Sequence, residues 1–178
     1  HHPVEHIVGY DALAVFINSA NPATQMTIPQ LREIFGRGGK ATKWTDVGLE
    51  VPGCQGQKIV VVSRQNNSGT YAYFKKEVLG KKVKFRQGTL DMHGSKDVVD
   101  LVEKTPCAIG YSGLAYATPE VKMVPVTKEP GSAPVEPSIE LPKLLTSVSD
   151  TIPSGKWNVS KAPASIAART MPEPPPST

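Results

Sequence analysis

Lys58-Ile59-Val60-Val61-Val62-Ser63-Arg64-Gln65-Asn66-Asn67-Ser68-Gly69-Thr70 changes character midway. Its first part, Lys58 to Val62, is short, continuous and β-branched, which is how a strand covered on both faces reads. Past the turn, Tyr71, Phe74 and Val78 recur at helical spacing until Gly80, a residue suited to ending a helix. The stretch from Ser63 to Thr70 therefore joins the carboxyl end of a strand to the amino end of a helix. In an open α/β sheet that is where an anion binds.

The residue types in the turn agree with that placement. A helix start leaves several backbone N–H groups unpaired and carries about half a positive charge. Ser68 can cap it, and Gly69 adds no Cβ, so a ligand can approach the backbone. The hydroxyls of Ser68 and Thr70 can each donate to an oxyanion, and Arg64 can bring a guanidinium fork to two of its oxygens. Spacing alone is equally compatible with an ordinary N-cap beside a solvated arginine, since Ser-Gly-Thr is common in turns.

Further segments occur in a fixed order around this turn. They are Val8-Gly9-Tyr10-Asp11-Ala12-Leu13-Ala14-Val15, Thr27-Ile28-Pro29-Gln30-Leu31-Arg32-Glu33-Ile34-Phe35, Lys40-Ala41-Thr42-Lys43-Trp44, Gly94-Ser95-Lys96-Asp97-Val98-Val99 and Pro106-Cys107-Ala108-Ile109-Gly110-Tyr111-Ser112-Gly113. With them, the central stretch resembles the Arg-x-x-x-Ser-Gly-Thr turn of the periplasmic phosphate-binding proteins, the PstS-type subunits of phosphate ABC importers. The similarity runs from about Glu5 to about Glu140.

The resemblance implies a type II periplasmic-binding-protein half-domain, an α/β fold with a mostly parallel sheet flanked by helices. It implies phosphate as ligand, held by Arg64, Ser68, Gly69 and Thr70, and a membrane permease as partner of the full clamp. It also implies export to the periplasm or cell surface, although no signal peptide is visible in a chain beginning His1-His2-Pro3. In the family, the strand matching Tyr10 to Ile17 follows the crossover from a first domain. The expectation is therefore the second domain of a truncated or split binding protein, carrying half of the site. The opposing domain of the family supplies further donors and an acidic residue that accepts the phosphate's proton; no counterpart is identified here. Sulfate, molybdate or a similar oxyanion is the alternative ligand, and an enzyme acting on phosphate esters the alternative activity.

The enzyme reading lacks a motif. Neither Asn67-Ser68-Gly69 nor Gly110-Tyr111-Ser112-Gly113-Leu114 is a Gly-x-Ser-x-Gly elbow, and no histidine is placed as a base for Ser68. Gly36-Arg37-Gly38-Gly39-Lys40-Ala41-Thr42 has the composition of a phosphate loop but not its spacing. His1, His2 and His6 would pair on a metal only in a helix that Pro3 opposes, so neither metal nor cofactor is expected. The net charge of +4 suits an anionic ligand, while the lysine cluster Lys81-Lys82-Val83-Lys84 reads as a solvated helix end and not a nucleic-acid surface. No run of about eighteen apolar residues appears, so no inserted membrane segment is expected.

The remaining expectations follow the chain. Thr27-Ile28-Pro29-Gln30 is a capping box ahead of the apolar stripe Leu31, Ile34 and Phe35, ended by Gly36, with Trp44 beyond it as a core anchor. Asp91 to Asp97 opens a second helix, capped by Gly94 or Ser95, with Val98, Val99, Leu101 and Val102 as its apolar residues; His93 and Ser95 stand at the mouth of the site. Cys54 and Cys107 each precede an apolar strand, and if those strands are parallel neighbours a disulfide is geometrically reasonable, with buried thiols the alternative. Val121 to Val126 is a last strand. The domain is thus expected over 5–127. Ten of the 17 prolines fall from Pro130 onward, so 128–178 reads as a poorly ordered extension.

Overall fold

The computed structural model describes residues 12–135. Five strands form the main sheet in the order β4-β3-β5-β1-β6: β1 Leu13–Asn18, β3 Val60–Arg64, β4 Leu90–Met92, β5 Ala108–Gly113 and β6 Val121–Val124. β3 pairs in parallel with β4 and β5, while β1 is antiparallel to both β5 and β6. Four strands thus share one direction and β1 alone is reversed, the mostly parallel α/β architecture expected from sequence. Two short strands, β2 Met26–Thr27 and β7 Val126–Thr127, pair in parallel beside it.

Helices cover both faces of the sheet. On one face α3, Ser95–Lys104, buries Val98, Val99 and Val102 against Ala14, Phe16, Val62 and Ala108. The i, i+1, i+4 spacing of the three valines makes one stripe on the helix, and burying each stabilises the fold by about 1.5–3 kcal/mol. Gly110 lets the helix come close: a Cβ there would stand 2.8 Å from Val98 Cγ1.

On the other face lie α1, Ile28–Phe35, and α2, Gly69–Phe74, the latter continuing as one π-type turn over Lys75–Leu79. α1 begins as the capping box predicts, with Gln30 N–H donating to Thr27 Oγ1 and Thr27 N–H to Gln30 Oε1. Its stripe of Leu31, Ile34 and Phe35 joins Trp44, Phe74, Ile109 and Tyr111 in the larger core. Phe74 stacks on Tyr111 with centroids 3.9 Å apart, and Phe35 meets both rings edge-on. Gly80, at φ +80°, ends the helix where its glycine predicts.

Cys54 and Cys107 form a disulfide across 53 residues, with Cα atoms 5.4 Å apart. Because β3 and β5 are parallel neighbours, the bridge ties the entries of both strands, at the end of the sheet opposite the Arg64 turn. Trp44 Nε1 donates to Cys107 O beside it.

After β7 the chain turns back, and Val135 pairs antiparallel with Val126. Ordered pairing therefore continues past residue 127, where composition placed the end of the domain. The rest of the proline-rich extension lies outside the described residues.

Candidate functional site

The carboxyl ends of β3, β4 and β5 converge at one edge of the molecule, and the chain leaves β3 and β4 directly into the starts of α2 and α3. Arg64 is the last residue of β3, paired with Met92 of β4. Its side chain shares the sheet face of Val62 and so points toward α3. There Nη1 donates to Ser95 Oγ at 2.6 Å and Nη2 to His93 O at 2.9 Å. Nη1 also lies 3.4 Å from Thr70 Oγ1, in the first turn of α2. Nε is buried and has no hydrogen-bond partner.

Nη1 commits its two N–H groups to Ser95 and Thr70 and Nη2 commits one to His93 O, which leaves the Nε N–H and the second Nη2 N–H without protein acceptors. All three acceptors are neutral, and the ion pairs among the described residues, Lys76–Glu77 and Lys96–Asp100, do not involve it. The guanidinium charge is therefore held in place without being neutralised. Each hydroxyl that accepts from it keeps its own O–H free to donate.

Two helix starts flank Arg64, and they are not equivalent. At α3 the N-cap is Gly94, whose N–H donates to Asp97 Oδ2 at 2.9 Å, so a carboxylate already occupies that positive end. At α2 the N-cap is Ser68, no acidic residue stands in the first turn, and the serine side chain makes no capping bond. Ser68 takes the capping position predicted for it, yet its hydroxyl stays unengaged by the helix. Gly69 is exposed, and a Cβ built on it meets nothing within 4 Å. Open space beside Gly69, the unpaired N–H groups of the first turn, the Ser68 and Thr70 hydroxyls and the arginine thus meet at the start of α2, which is the chemistry of an oxyanion site.

Beneath the turn Tyr111 fixes β3 to β5. Its hydroxyl lies 2.8 Å from Ser63 Oγ and accepts from Arg64 N–H at 3.4 Å. Burial pushes its ionisation up to about 12, so the phenol is neutral. Ser63 and Ser112 are both wholly buried, and Ser112 Oγ donates to Ser95 O at 3.0 Å. Sequence reasoning singled out neither as a site residue. The available signal was a hydroxyl within each strand, two residues or fewer from its carboxyl end.

His93 lies beside Arg64, which donates to its carbonyl, and its exposed ring meets Gln65 Nε2 through Nε2 at 2.9 Å. It is the one histidine among the described residues. Among the described residues no group of three or more His, Cys, Asp or Glu side chains is placed to hold a metal ion, and no helix is long and apolar enough to cross a membrane. A separate cleft of about 390 Å³ is lined by Arg37, Gly38, Arg86 and Gln87. Arg86 donates from Nη1 to Ala41 O and from Nη2 to Gly39 O, so it straps the loop after α1.

Comparison with known proteins agrees with the geometry. A family model described as a PBP superfamily domain matches residues 1–172. A phosphate-binding protein PstS of Pseudomonas aeruginosa is 37% identical over 135 residues, covering 72% of this chain and 41% of that protein. Among solved structures, a possible phosphate binding protein of Planctomyces limnophilus superposes with a TM-score of 0.65 at 29% identity, over 76% of this chain and 48% of that one. A putative phosphate ABC transporter substrate-binding protein of Clostridium perfringens, with bound phosphate, superposes with a TM-score of 0.58 at 30% identity, over 68% and 47%. The chain therefore spans less than half the length of each of these three relatives.

Proposed function

We propose that this chain, which belongs to the PBP superfamily, binds inorganic phosphate at the turn between β3 and α2 and serves as the solute-binding component of a phosphate ABC importer. Arg64, Ser68, Gly69 and Thr70 hold the anion, with His93 and Ser95 at the mouth. The observation that carries this reading is the asymmetry of the two helix starts. The one at Asp97 is already neutralised, whereas the one at Ser68 has open space beside Gly69, hydroxyls free to donate and an arginine without an acidic partner among the described residues. The names of the relatives favour phosphate over other oxyanions.

The activity is read as reversible capture, in keeping with relatives named as phosphate-binding proteins, and the one histidine among the described residues is engaged by Gln65. Function outside the cytoplasm is in keeping with the Cys54–Cys107 disulfide, a bond that persists in oxidising compartments. A permease reached through a closed two-walled clamp is the macromolecular partner.

The described residues form one wall of such a clamp. A charge-assisted bond at roughly 1.5–3 kcal/mol and a helix start at roughly 0.3–2 kcal/mol fall well short of the about 8 kcal/mol that micromolar binding needs. The expected affinity of this chain for phosphate is therefore millimolar, weakened steeply by salt and with little discrimination against sulfate. Calorimetric titration of wild type and Arg64→Ala tests the assignment. A loss of about tenfold or more on removing the guanidinium is expected, and equal phosphate affinity in the two forms would overturn it.

A further inference from the structure

The turns that follow β3 and β4 are fastened to each other. Gln65 N–H donates to Met92 O at 3.1 Å, Gln65 Nε2 meets His93 Nε2 at 2.9 Å, and Arg64 reaches His93 O at 2.9 Å and Ser95 Oγ at 2.6 Å. Ser95 is itself held from behind, since its carbonyl accepts from the wholly buried Ser112 hydroxyl at 3.0 Å. Its side chain has no part in capping α3, because the cap falls on Gly94 and Asp97 Oδ2 takes that N–H. What the Ser95 hydroxyl does is hold Arg64.

We propose that Ser95 is a positioning residue for the anion site, its hydroxyl oxygen accepting from Arg64 Nη1 so that the guanidinium stays beside Thr70 with its Nε N–H and second Nη2 N–H left for an oxyanion. This rests on the phosphate site proposed above and gives α3 a part in it. A hydroxyl suits the task for an electrostatic reason. A carboxylate there would hold the arginine as firmly but cancel the charge that attracts the ligand, whereas a neutral acceptor leaves that charge in place. An alanine would leave Nη1 only the longer bond to Thr70 Oγ1, and the long side chain would regain rotamers that binding must then suppress.

The test is phosphate titration of the wild-type chain, Ser95→Ala and Ser95→Thr, read by calorimetry and by side-chain nitrogen NMR of Arg64. Ser95→Ala should bind phosphate about three- to tenfold more weakly with its melting temperature unchanged, and should average the Arg64 Nη signals that are resolved in the cold in wild type. Ser95→Thr, which keeps the hydroxyl, should restore both. Wild-type affinity in Ser95→Ala, or Arg64 Nη signals already averaged in free wild type, would overturn the role of Ser95. No response of wild type to phosphate would instead overturn the phosphate site itself. Should Ser95→Ala fail to fold, the wild-type Arg64 signals decide alone.

Discussion

Ser63 and Tyr111, on neighbouring parallel strands, meet through their hydroxyls at 2.8 Å in a wholly buried position. The phenol ring stacks within the aromatic core, on Phe74. Its oxygen lies beside the backbone of Arg64, so core packing and site geometry share one residue.

That placement gives a pH dependence. Burial raises the folded-state value of Tyr111 from 10.0 to about 12. A raised value in the folded state means stability that is complete below pH about 10 and is lost as pH rises from about 10 to about 12. The shift corresponds to about 3 kcal/mol. Denaturant unfolding across pH 8 to 12.5 should show this alkaline loss in wild type and a correspondingly shallower one in Tyr111→Phe; identical slopes would refute it.

The disulfide closes a long loop at the opposite end of the sheet. On the chain-entropy account, whose mechanism is model-dependent, a bridge across 53 residues contributes roughly 4 kcal/mol. Cys54→Ser with Cys107→Ser should lower stability by about that much in oxidising buffer and abolish the sensitivity of the melting temperature to reductant. Because the site is remote, phosphate binding by the folded fraction should be unaffected. Peptide mapping of unreduced native protein should find the two cysteines linked.

Two glycines should respond in opposite ways. Gly110→Ala places a methyl 2.8 Å from Val98 Cγ1 and 3.1 Å from Val102 Cγ2, an overpacking expected to cost about 1–3 kcal/mol. Gly69→Ala meets open space and should leave thermal stability unchanged, yet its methyl stands where a ligand would approach the backbone at the start of α2 and should weaken the response to phosphate. Thermal melts with and without phosphate distinguish the two effects.

The elements nearest the site were legible because their signals are local. A β-branched run followed by helical spacing located β3 and α2, the Thr27–Gln30 pair located the start of α1, and paired cysteine positions before two strands anticipated the bridge. The reversal of β1 was not legible, because strand direction depends on where the chain enters the sheet and not on the residues of Leu13–Asn18. The π-type turn over Lys75–Leu79 was equally hidden, since Phe74 and Val78 fit either winding. The engagement of Arg64 by Ser95 spans 31 residues and depends on the β3–β4 register. The readings of a loosely structured extension beyond Pro130 and of histidines near the start fall almost wholly on residues outside those described.

The most direct test of the central claim is a nitrogen–proton NMR titration of this chain with inorganic phosphate at low salt, following every backbone amide and the Arg64 Nε N–H. The account predicts saturable shifts in the millimolar range at the amides of Ser68, Gly69 and Thr70 and at Arg64 Nε, with the amides near Asp97 little changed. Shifts confined to Arg37 and Arg86, or none at the start of α2 at saturating phosphate, would contradict it.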